Sequence, residues 1–560
     1  MLEKDWWKSS VVYQIYPKSF YDTNGDGIGD IQGIIEKLDY LKELGVDVIW
    51  TTPMYVSPMK DNGYDIADYY NIDSSFGTME DFDRLLVETH KRGMKLIMDM
   101  VINHTSTEHR WFKEALKGPK NKYHNYYIWK KGGIKTKPNN WLSKFGGSAW
   151  EYVESLGEYY LHLFDVTQAD LNWENENLRK DIYKMINFWL DKGVDGFRLD
   201  VINLISKNQN FPDDTLADAS SDGRRFYTDG PRIHEFLKEL TKNTFGKKEE
   251  SLTVGEMSST TIPNCIEYTN PENRELSMVF NFHHLKVDYT NGNKWELGTL
   301  DFKALKDIMF KWQVEMEKGN GWNAVFWCNH DQPRIVSRFG SEKYLKKSAK
   351  MLGVAIQLLR GTPYIYQGEE IAMTNPDFKN IDSFRDVESL NNYKILLEKG
   401  KTKEEAIAIL NQKSRDNSRT PVQWNRSQNA GFTSGTPWIA LSSNYKDINV
   451  ADNLKDKDSV FHFYKKLIKL RKEYKVISHG SFTPLYEDHE KIFAYERKRE
   501  NEGLLIVNNF FDCETEIELD NKYVGQKVLL KNYPDVKLDK NLLKLRPYET
   551  VVIYNKNMNK

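Results

Sequence analysis

Eight short apolar runs, each followed by a longer amphipathic stretch, constrain the fold of this chain more than any other feature. The runs begin at Val11, Val46, Lys95, Gly196, Leu252, Ser277, Asn323 and Thr362. Buried parallel strands have this nearly continuous apolar character, and the intervening stretches have helical periodicity. Eight strands with crossover helices predict an α/β fold, a (β/α)₈ TIM barrel. A doubly wound open sheet is the alternative, but its glycine-rich phosphate fingerprint has no counterpart in the sequence.

Two connections between the predicted strands are too long to be ordinary loops. The connection after the third strand predicts an inserted subdomain at 104–175, and the connection after the eighth predicts a further insertion at about 371–450. From about residue 480 the pattern changes to short alternating runs, which predict a C-terminal antiparallel β-sandwich. We therefore expect a catalytic barrel over 1–103 and 176–479 and a β-sandwich over 480–560.

Composition limits the classes of partner. The chain has 79 Lys and Arg against 81 Asp and Glu, so it lacks the basic stripe typical of nucleic-acid binders. No stretch approaches the roughly 18 apolar residues of a membrane span. Cys265, Cys328 and Cys513 show no C-x-x-C spacing, which favours reduced thiols and a cytoplasmic location. We expect a monomer that binds neither nucleic acid nor membrane.

Three acidic residues follow predicted strands, where barrels of this kind carry their chemistry. Asp200 ends the fourth strand, Glu256 ends the fifth and Asp331 follows the seventh. Three acids at one barrel mouth repel each other unless cations compensate. Arg198 lies on the same side of its strand as Asp200 and can hold that carboxylate ionised.

Paired carboxylates with a third acid suit glycoside hydrolysis, in which one acid protonates the leaving oxygen while a carboxylate attacks the anomeric carbon. His104 and His330 add donors at the same rim. A single Asp at a strand end is usually an Asx turn or a helix cap. Three acids with an arginine and two histidines at matching positions favour a catalytic site.

Four segments in order along the chain resemble the α-amylase superfamily of retaining α-glucoside enzymes. They are DMVINH (99–104), GFRLD (196–200), GE (255–256) and NHD (329–331). The resemblance implies that Asp200 is the nucleophile, Glu256 the general acid/base and Asp331 the transition-state stabiliser. It also implies that Arg198, His104 and His330 complete the subsite for the glucose that becomes covalently bound.

Two further segments narrow the resemblance to exo-acting oligosaccharide glucosidases. They are DNGYD (61–65) and DNSRTPVQW (416–424). In that group the counterparts of Asp61 and Arg419 pair to close the end of the pocket, and the counterpart of Tyr64 stacks on the terminal glucose. A closed pocket accepts only a chain end, so one glucose unit would be released at a time.

The loop DTNGDGIGD offers oxygen ligands at alternating positions. The candidate ligands are Asp22, Asn24, Asp26, the Ile28 carbonyl and Asp30. This pattern matches the first part of an EF-hand loop, but Gly33 stands where the bidentate glutamate would be. We predict a structural Ca²⁺ or Mg²⁺ here and no organic cofactor; the related glucosidases carry a similar loop with a bound cation. A Gly/Asx turn that needs no metal is the alternative.

Several segments on which the sub-branches differ are similar to the trehalose-6-phosphate hydrolase branch of the superfamily. They span 167–176, 222–232, 282–289, 322–340, 362–370 and 385–393. The resemblance implies a small sugar phosphate as substrate, whose phosphate needs Lys or Arg donors. Lys286 and Lys294, after the sixth strand, are the candidates. Arg224 and Arg232 are further candidates, with a solvated surface role as the alternative.

Three other functions remain open from the sequence. An oligo-1,6-glucosidase acting on neutral sugars would share every catalytic residue, and Val201 after the proposed nucleophile is similar to that α-1,6-cleaving branch. A sucrose isomerase would need an arginine-rich loop where this chain has VDYTNGNKW (287–295). A catalytically inactive interaction subunit would lack the three acids, which are present here.

Overall fold

Apolar and β-branched residues form eight parallel strands at the centre of the computed structural model, which describes residues 5–216, 221–248 and 250–558. The predicted barrel is confirmed. Its strands are β1 (Val12–Ile15), β2 (Val48–Thr51), β3 (Lys95–Val101), β4 (Gly196–Asp200), β5 (Leu252–Glu256), β6 (Met278–Phe280), β7 (Ala324–Val325) and β8 (Thr362–Tyr366).

The barrel closes by uneven pairing. The strands follow the order β6-β5-β4-β3-β2-β1-β8-β7, so β1 and β8 pair as neighbours. Between β6 and β7 the described residues form one isolated bridge, Val279 with Asn323, and Val279 donates to the Trp322 carbonyl at 3.4 Å. We call this junction the β6–β7 seam. It is the least paired junction among the described strands of the barrel, because it has one bridge where β7 and β8 have two paired residues.

Helices cover the outside of the barrel and pack apolar faces such as Leu237 and Leu240 into one large core with the strands. The amphipathic stretch between β1 and β2 forms two helices that meet at Lys37, and the second ends at Gly45, whose φ of 102° suits glycine. The described helices include none that is both long and apolar enough to cross a bilayer. The main helices are Ile31–Glu36, Leu38–Leu44, Met79–Lys91, Glu176–Lys192, Ile233–Asn243, Ile262–Thr269, Phe302–Lys318, Ile335–Phe339, Leu345–Gln357 and Val460–Glu473.

The insertion after β3 forms its own small sheet and leans over the barrel mouth. Its strands are Trp129–Lys131, Glu158–Leu161 and Trp150–Val153, and His104–Ser106 pairs with Gln168–Asp170 beside them. Trp141 donates to the Pro212 carbonyl at 2.8 Å, which fixes the insertion to the loop after β4. A second apolar cluster joins the insertion to Val201 and Leu204, directly behind the proposed nucleophile.

The insertion after β8 supplies the other wall of the mouth. Its helices are Val387–Glu398, Lys403–Lys413 and the single turn Asp416–Arg419. Phe378, Phe384 and Leu410 give it a small core of its own. The side chains of its last turn point inward and are buried, so this insertion contributes charged groups directly to the cavity.

The C-terminal region is the predicted antiparallel sandwich. Ile492, Val507 and Leu543 belong to an apolar cluster between its two sheets. Arg497 ties it to the barrel by donating to the carbonyl of Leu358 at 2.7 Å, and it also donates to the carbonyl of Ser481 within the sandwich at 3.1 Å. One sheet contains Ser481–Leu485, Ile492–Arg499, Glu502–Asn509, Thr550–Asn555 and Lys527–Lys531, and the other contains Thr515–Glu518, Leu542–Leu545 and Lys537–Asp539.

Candidate active site

One guanidinium group holds the two principal carboxylates at the mouth of the barrel. Arg198 contacts Asp200 at 2.6 Å and Glu256 at 2.7 Å, and a third contact of 2.8 Å joins it to Asp99. The register of β4 and β5 pairs Leu199 with Gly255, so Asp200 lies beside Glu256. Adjacent strands are about 4.8 Å apart. The carboxyl pair is therefore close, as it is in glycosidases that retain configuration.

Burial dominates the acidity of this pair. It raises the pKa of Asp200 to about 6, a rise that Arg198 limits. It raises the pKa of Glu256 to about 7, again with Arg198 acting in the opposite direction. Near neutral pH, Asp200 is thus largely ionised while a substantial part of Glu256 still carries a proton. These are the protonation states of a nucleophile and of a general acid.

Val201 locks the spacing between the two carboxylates. Its φ of 36° places it in the left-handed region, which a β-branched residue rarely adopts. In this conformation its N–H donates to the carboxylate of Glu256 at 3.1 Å. The cost of such a conformation is about 1–3 kcal/mol, and packing in the second apolar cluster holds it in place.

The third acid, Asp331, is ionised by neighbouring arginines. Burial alone would raise its pKa, but the charges of Arg415 and Arg419 oppose burial and help to hold the pKa well below its usual range. Arg419 contacts it at 2.6 Å. Burial lowers the pKa of His330 to about 3, so this ring is neutral. It stacks on Tyr64 with centroids 5.1 Å apart.

The predicted pairing of Asp61 with Arg419 is wrong. Asp61 pairs with Arg415 at 2.9 Å, whereas Arg419 is held by Asp331 and by the His330 carbonyl at 3.0 Å. The two arginines are one helical turn apart and share a face, so either could have reached Asp61. Asp386 contacts both arginines and completes the closed end of the cavity.

Tyr64 and His104 lie where the sequence placed them, in the wall of the cavity. The Tyr64 hydroxyl donates to Asp99 at 2.9 Å. One nitrogen of His104 lies 3.1 Å from the Tyr64 carbonyl. Burial lowers the pKa of His104 to about 4, so it is a neutral hydrogen-bonding group.

The cavity has a volume of about 240 Å³. Besides predicted residues, it is lined by several that sequence reasoning missed. These are Lys144, Phe145, Phe164, Phe282, Tyr289, Gln332, Glu388 and Arg415. Arg415 lay just outside the matched segment and was detectable as a second arginine one turn before Arg419. Lys144 had no local signal, because it comes from an irregular loop of the first insertion.

Three lysines line the cavity. Lys294 is ion-paired with Glu388 at 2.7 Å. Lys144 donates to the Ser258 hydroxyl at 3.2 Å, and burial lowers its pKa to about 8. Burial also lowers the pKa of Lys286. Within the described ranges no carboxylate lies within ion-pair distance of Lys144 or Lys286, so neither charge facing the cavity is neutralised by a direct ion pair.

The two arginine candidates differ in position. Arg232 is paired with Glu174 and Glu235 outside the cavity. Arg224 contacts Asp222 at 2.6 Å, and its charge contributes to the lowered pKa values of Lys144 and Lys286. Neither arginine is among the cavity-lining residues.

The acidic loop Asp22–Asp30 folds around its own amides. Asp22 accepts hydrogen bonds from the N–H groups of Asn24, Gly25 and Gly27, while Asp30 caps the following helix by accepting from Gly33. The described residues contain no cluster of three or more His, Cys, Asp or Glu that could hold a metal. A cation here would depend on mixed ligands, including the Asn24 amide and the Ile28 carbonyl.

A (β/α)₈ barrel with two buried acids on one arginine and a third acid opposite defines a glycoside hydrolase. The chain belongs to the alpha-amylase family: the model of the alpha amylase catalytic domain matches residues 14–480, and that of the alpha-amylase SusG C-terminal domain matches 492–552.

The relatives that match over nearly the full length include trehalose-6-phosphate hydrolases and oligo-1,6-glucosidases. The chain is 57% identical to a trehalose-6-phosphate hydrolase of Bacillus subtilis (strain 168), over 98% of each chain. It is 52% identical to an oligo-1,6-glucosidase of Parageobacillus thermoglucosidasius, over 98% of this chain and 99% of the other. The crystal structure of Bacillus licheniformis trehalose-6-phosphate hydrolase superposes with a TM-score of 0.93 at 61% identity, covering 98% of this chain and 99% of the other.

Proposed function

We propose that the protein hydrolyses α,α-trehalose 6-phosphate to glucose and glucose 6-phosphate with retention of configuration. The main support for this substrate is the difference in charge between the two ends of the cavity. One end is closed by the Asp61–Arg415 pair, and the other presents Lys144 and Lys286 without carboxylate partners. The relatives named trehalose-6-phosphate hydrolases support the same substrate.

The reaction proceeds in two displacements. Glu256 protonates the bridging oxygen while Asp200 attacks the anomeric carbon of the unphosphorylated glucose, so glucose 6-phosphate leaves and a glucosyl–enzyme ester forms. Glu256, now ionised, removes a proton from water, which attacks the same carbon and frees Asp200. Asp331 stays ionised throughout and accepts hydrogen bonds from sugar hydroxyls as charge develops on the ring.

The phosphate is recognised by charge at the outer end of the cavity. A phosphate monoester carries between one and two negative charges at neutral pH. Lys144 is half-buried, whereas Lys286 lines the cavity as an exposed residue. A bound phosphate strengthens the charged forms of both lysines, and Lys144 holds it more tightly than it would be held in water. Lys294 can add a third contact by exchanging Glu388 for phosphate, since this ion pair faces the cavity.

The first experiment compares trehalose 6-phosphate, trehalose and isomaltose, with glucose and glucose 6-phosphate measured separately. We expect equimolar products from trehalose 6-phosphate and far slower turnover of both neutral sugars. Lys286→Ala should lower kcat/KM for trehalose 6-phosphate by about 10–100-fold, because a charge-assisted hydrogen bond is lost. Neutral substrates should be unaffected. Lys303→Ala is the matched control, because Lys303 pairs with Asp307 on the exposed face of its helix.

A neutral α-1,6-glucoside is the second candidate substrate. Glu388 lies in the cavity wall and would repel a phosphate unless Lys294 neutralises it. The relatives named oligo-1,6-glucosidases also cover almost the full chain. Fast cleavage of isomaltose with trehalose 6-phosphate untouched would replace the proposed substrate and leave the assignment of Asp200 and Glu256 intact.

We also propose that the Asp22–Asp30 loop binds a structural Ca²⁺ or Mg²⁺. Asp22, Asp26 and Asp30 would supply carboxylate oxygens, and Asn24 and Ile28 neutral oxygens, a donor set suited to hard cations. The cation would brace the loop against the second insertion, where Thr433 donates to Asp22. The chemistry at Asp200 and Glu256 does not involve it.

A cytoplasmic monomer is the proposed form of the protein. Cys265 and Cys328 are buried free thiols and Cys513 is a half-buried one, which suits a reducing compartment. Size-exclusion chromatography with light scattering tests the monomer against the calculated mass of 65.7 kDa. Fractionation of cells that express the chain tests its location.

A further inference from the structure

A buried carboxylate that the mechanism does not use lies next to the phosphate-facing end of the cavity. Asp288 is two residues beyond Lys286, on the segment 285–289 whose Leu285, Lys286 and Tyr289 line the cavity. The Asp288 side chain is only 4% exposed. It makes no contact with the reacting carboxylates and belongs to a separate group of charges.

Two cations from different parts of the chain hold this carboxylate. Arg338, on the helix after β7, donates to both Asp288 oxygens at 2.8 and 2.9 Å. Lys413, from the second insertion, contacts the carboxylate at 3.0 Å and the Asp288 carbonyl at 3.0 Å. Both cationic side chains are at most 2% exposed. We call Asp288, Arg338 and Lys413 the Asp288 clamp.

The clamp fixes the backbone on both sides of Lys286. Arg338 also donates to the Leu285 carbonyl, so the residue before Lys286 is held by the same guanidinium that binds Asp288. A further hydrogen bond of 2.8 Å joins Arg338 to Gln332, which lines the cavity next to Asp331. The clamp therefore joins the loop after β6 to the loop after β7, across the β6–β7 seam.

We propose that Asp288 is a positioning residue that sets the selectivity for a phosphorylated leaving group by orienting Lys286. This inference rests on the proposed function. A lysine side chain loses considerable conformational entropy when it is ordered, and a fixed backbone reduces what remains to be lost on binding. Two cations and one carboxylate also leave one net positive charge, which adds to the attraction for phosphate.

The clamp acts on one half of the substrate only. Asp200 and Glu256 are carried by β4 and β5 and are tied together by Arg198. The clamp lies beyond β6, on the side of the leaving group. Loosening it should therefore weaken binding of the phosphorylated sugar and leave the chemistry at the closed end unchanged.

The test is Asp288→Asn, which keeps the shape and removes the charge. We expect KM for trehalose 6-phosphate and the inhibition constant of glucose 6-phosphate to rise about tenfold. We expect kcat/KM for p-nitrophenyl α-glucoside to stay within about twofold, because that substrate has no phosphate. Asp307→Asn is the matched control, since Asp307 is exposed and pairs with Lys303 along its helix. Equal losses on both substrates would show that Asp288 is merely structural and would overturn the inference.

A double-mutant cycle separates this inference from the proposed function. In a Lys286→Ala background, Asp288→Asn should cost little more, because the lysine that it orients is absent. If the unsubstituted enzyme leaves trehalose 6-phosphate untouched, the proposed function fails. If that substrate is hydrolysed but Lys286→Ala leaves its turnover unchanged, the phosphate-binding role of Lys286 fails and this inference fails with it. If Lys286→Ala has its effect and Asp288→Asn has none, only the clamp is overturned. If Asp288→Asn does not fold, Lys413→Met is the second variant, because it keeps the Arg338–Asp288 pair. It should show the same selective rise in KM for trehalose 6-phosphate, and the absence of that rise would overturn the inference.

Discussion

At the scale of single residues, the arginine shared by Asp200 and Glu256 explains how two close acids take different protonation states. Burial raises both pKa values, to about 6 and about 7 respectively, and Arg198 moderates each rise. Because Glu256 is the weaker acid of the two, it keeps its proton in the range where Asp200 has lost its own. The division of labour between acid and nucleophile follows from this difference.

This difference predicts a bell-shaped pH dependence of kcat/KM. Below about pH 6 Asp200 binds a proton and cannot attack, and above about pH 7 Glu256 loses the proton that it must donate. The profile should be measured with p-nitrophenyl α-glucoside, because a phosphate monoester itself titrates near pH 6. A flat profile from the acidic to the alkaline range would contradict these assignments.

Substitution of the nucleophile gives a second prediction at this scale. Asp200→Asn keeps the side-chain volume and should reduce kcat by about 10⁴-fold while the melting temperature changes little. Glu256→Gln should behave differently: with an activated p-nitrophenyl leaving group, formation of the glucosyl–enzyme should persist, because that group needs no proton. Near-normal turnover by Asp200→Asn would exclude it as the nucleophile.

The catalytic residues at the strand ends were predictable from the sequence, whereas the ion-pair partners of the site residues were not. Asp200, Glu256 and Asp331 follow apolar runs, and parallel strands deliver their carboxyl ends to one rim. The partner of Asp61 depends on which of two arginines one turn apart reaches it, and that choice is made by Asp331 and Asp386 from elsewhere in the chain. Lys144 could not be found because an irregular insertion carries it to the cavity.

At the scale of elements, the eight strands were predictable because each is buried on both faces. The apolar run from Asn323 nevertheless predicts a longer β7 than the two residues that pair. Trp327 and Cys328 are buried there by packing against helices and loops, without strand pairing, and hydrophobicity alone does not distinguish these two reasons for burial. The helix break at Lys37 has the same origin, since tertiary packing overrides local propensity.

The acidic loop between β1 and its helix allows a prediction at this scale. If the loop holds a cation, EDTA should lower the melting temperature and added Ca²⁺ should restore it, because a ligand bound only to the folded state stabilises it. Asp26→Ala removes a ligand on the exposed side of the loop and should abolish the response to Ca²⁺. An unchanged melting curve in EDTA would favour the metal-free turn, in which backbone amides and the Thr433 hydroxyl satisfy Asp22.

At the scale of the whole molecule, the barrel wall has unequal strength around its circumference. Strands β3 and β4 pair over five residues, whereas the β6–β7 seam is closed by one bridge and by the clamp beyond it. Hydrogen exchange should therefore be faster at Ala324 and Val325 than at the paired residues of β3 and β4, by about tenfold or more. Lys413→Met should widen this gap; equal protection of all eight strands would contradict the uneven wall.

The β6–β7 seam also affects how the substrate range of such an enzyme can change during evolution. One of its bordering loops carries Lys286, a proposed contact to the leaving half of the substrate, while Asp200 lies on β4, which pairs over five residues with β3 and over four with β5. Mutations along the β6–β7 seam can therefore change which leaving group the enzyme accepts without altering the catalytic acids. The clamp limits this freedom, because a variant that discards Asp288 to admit a neutral sugar also loosens the barrel and must regain that stability elsewhere.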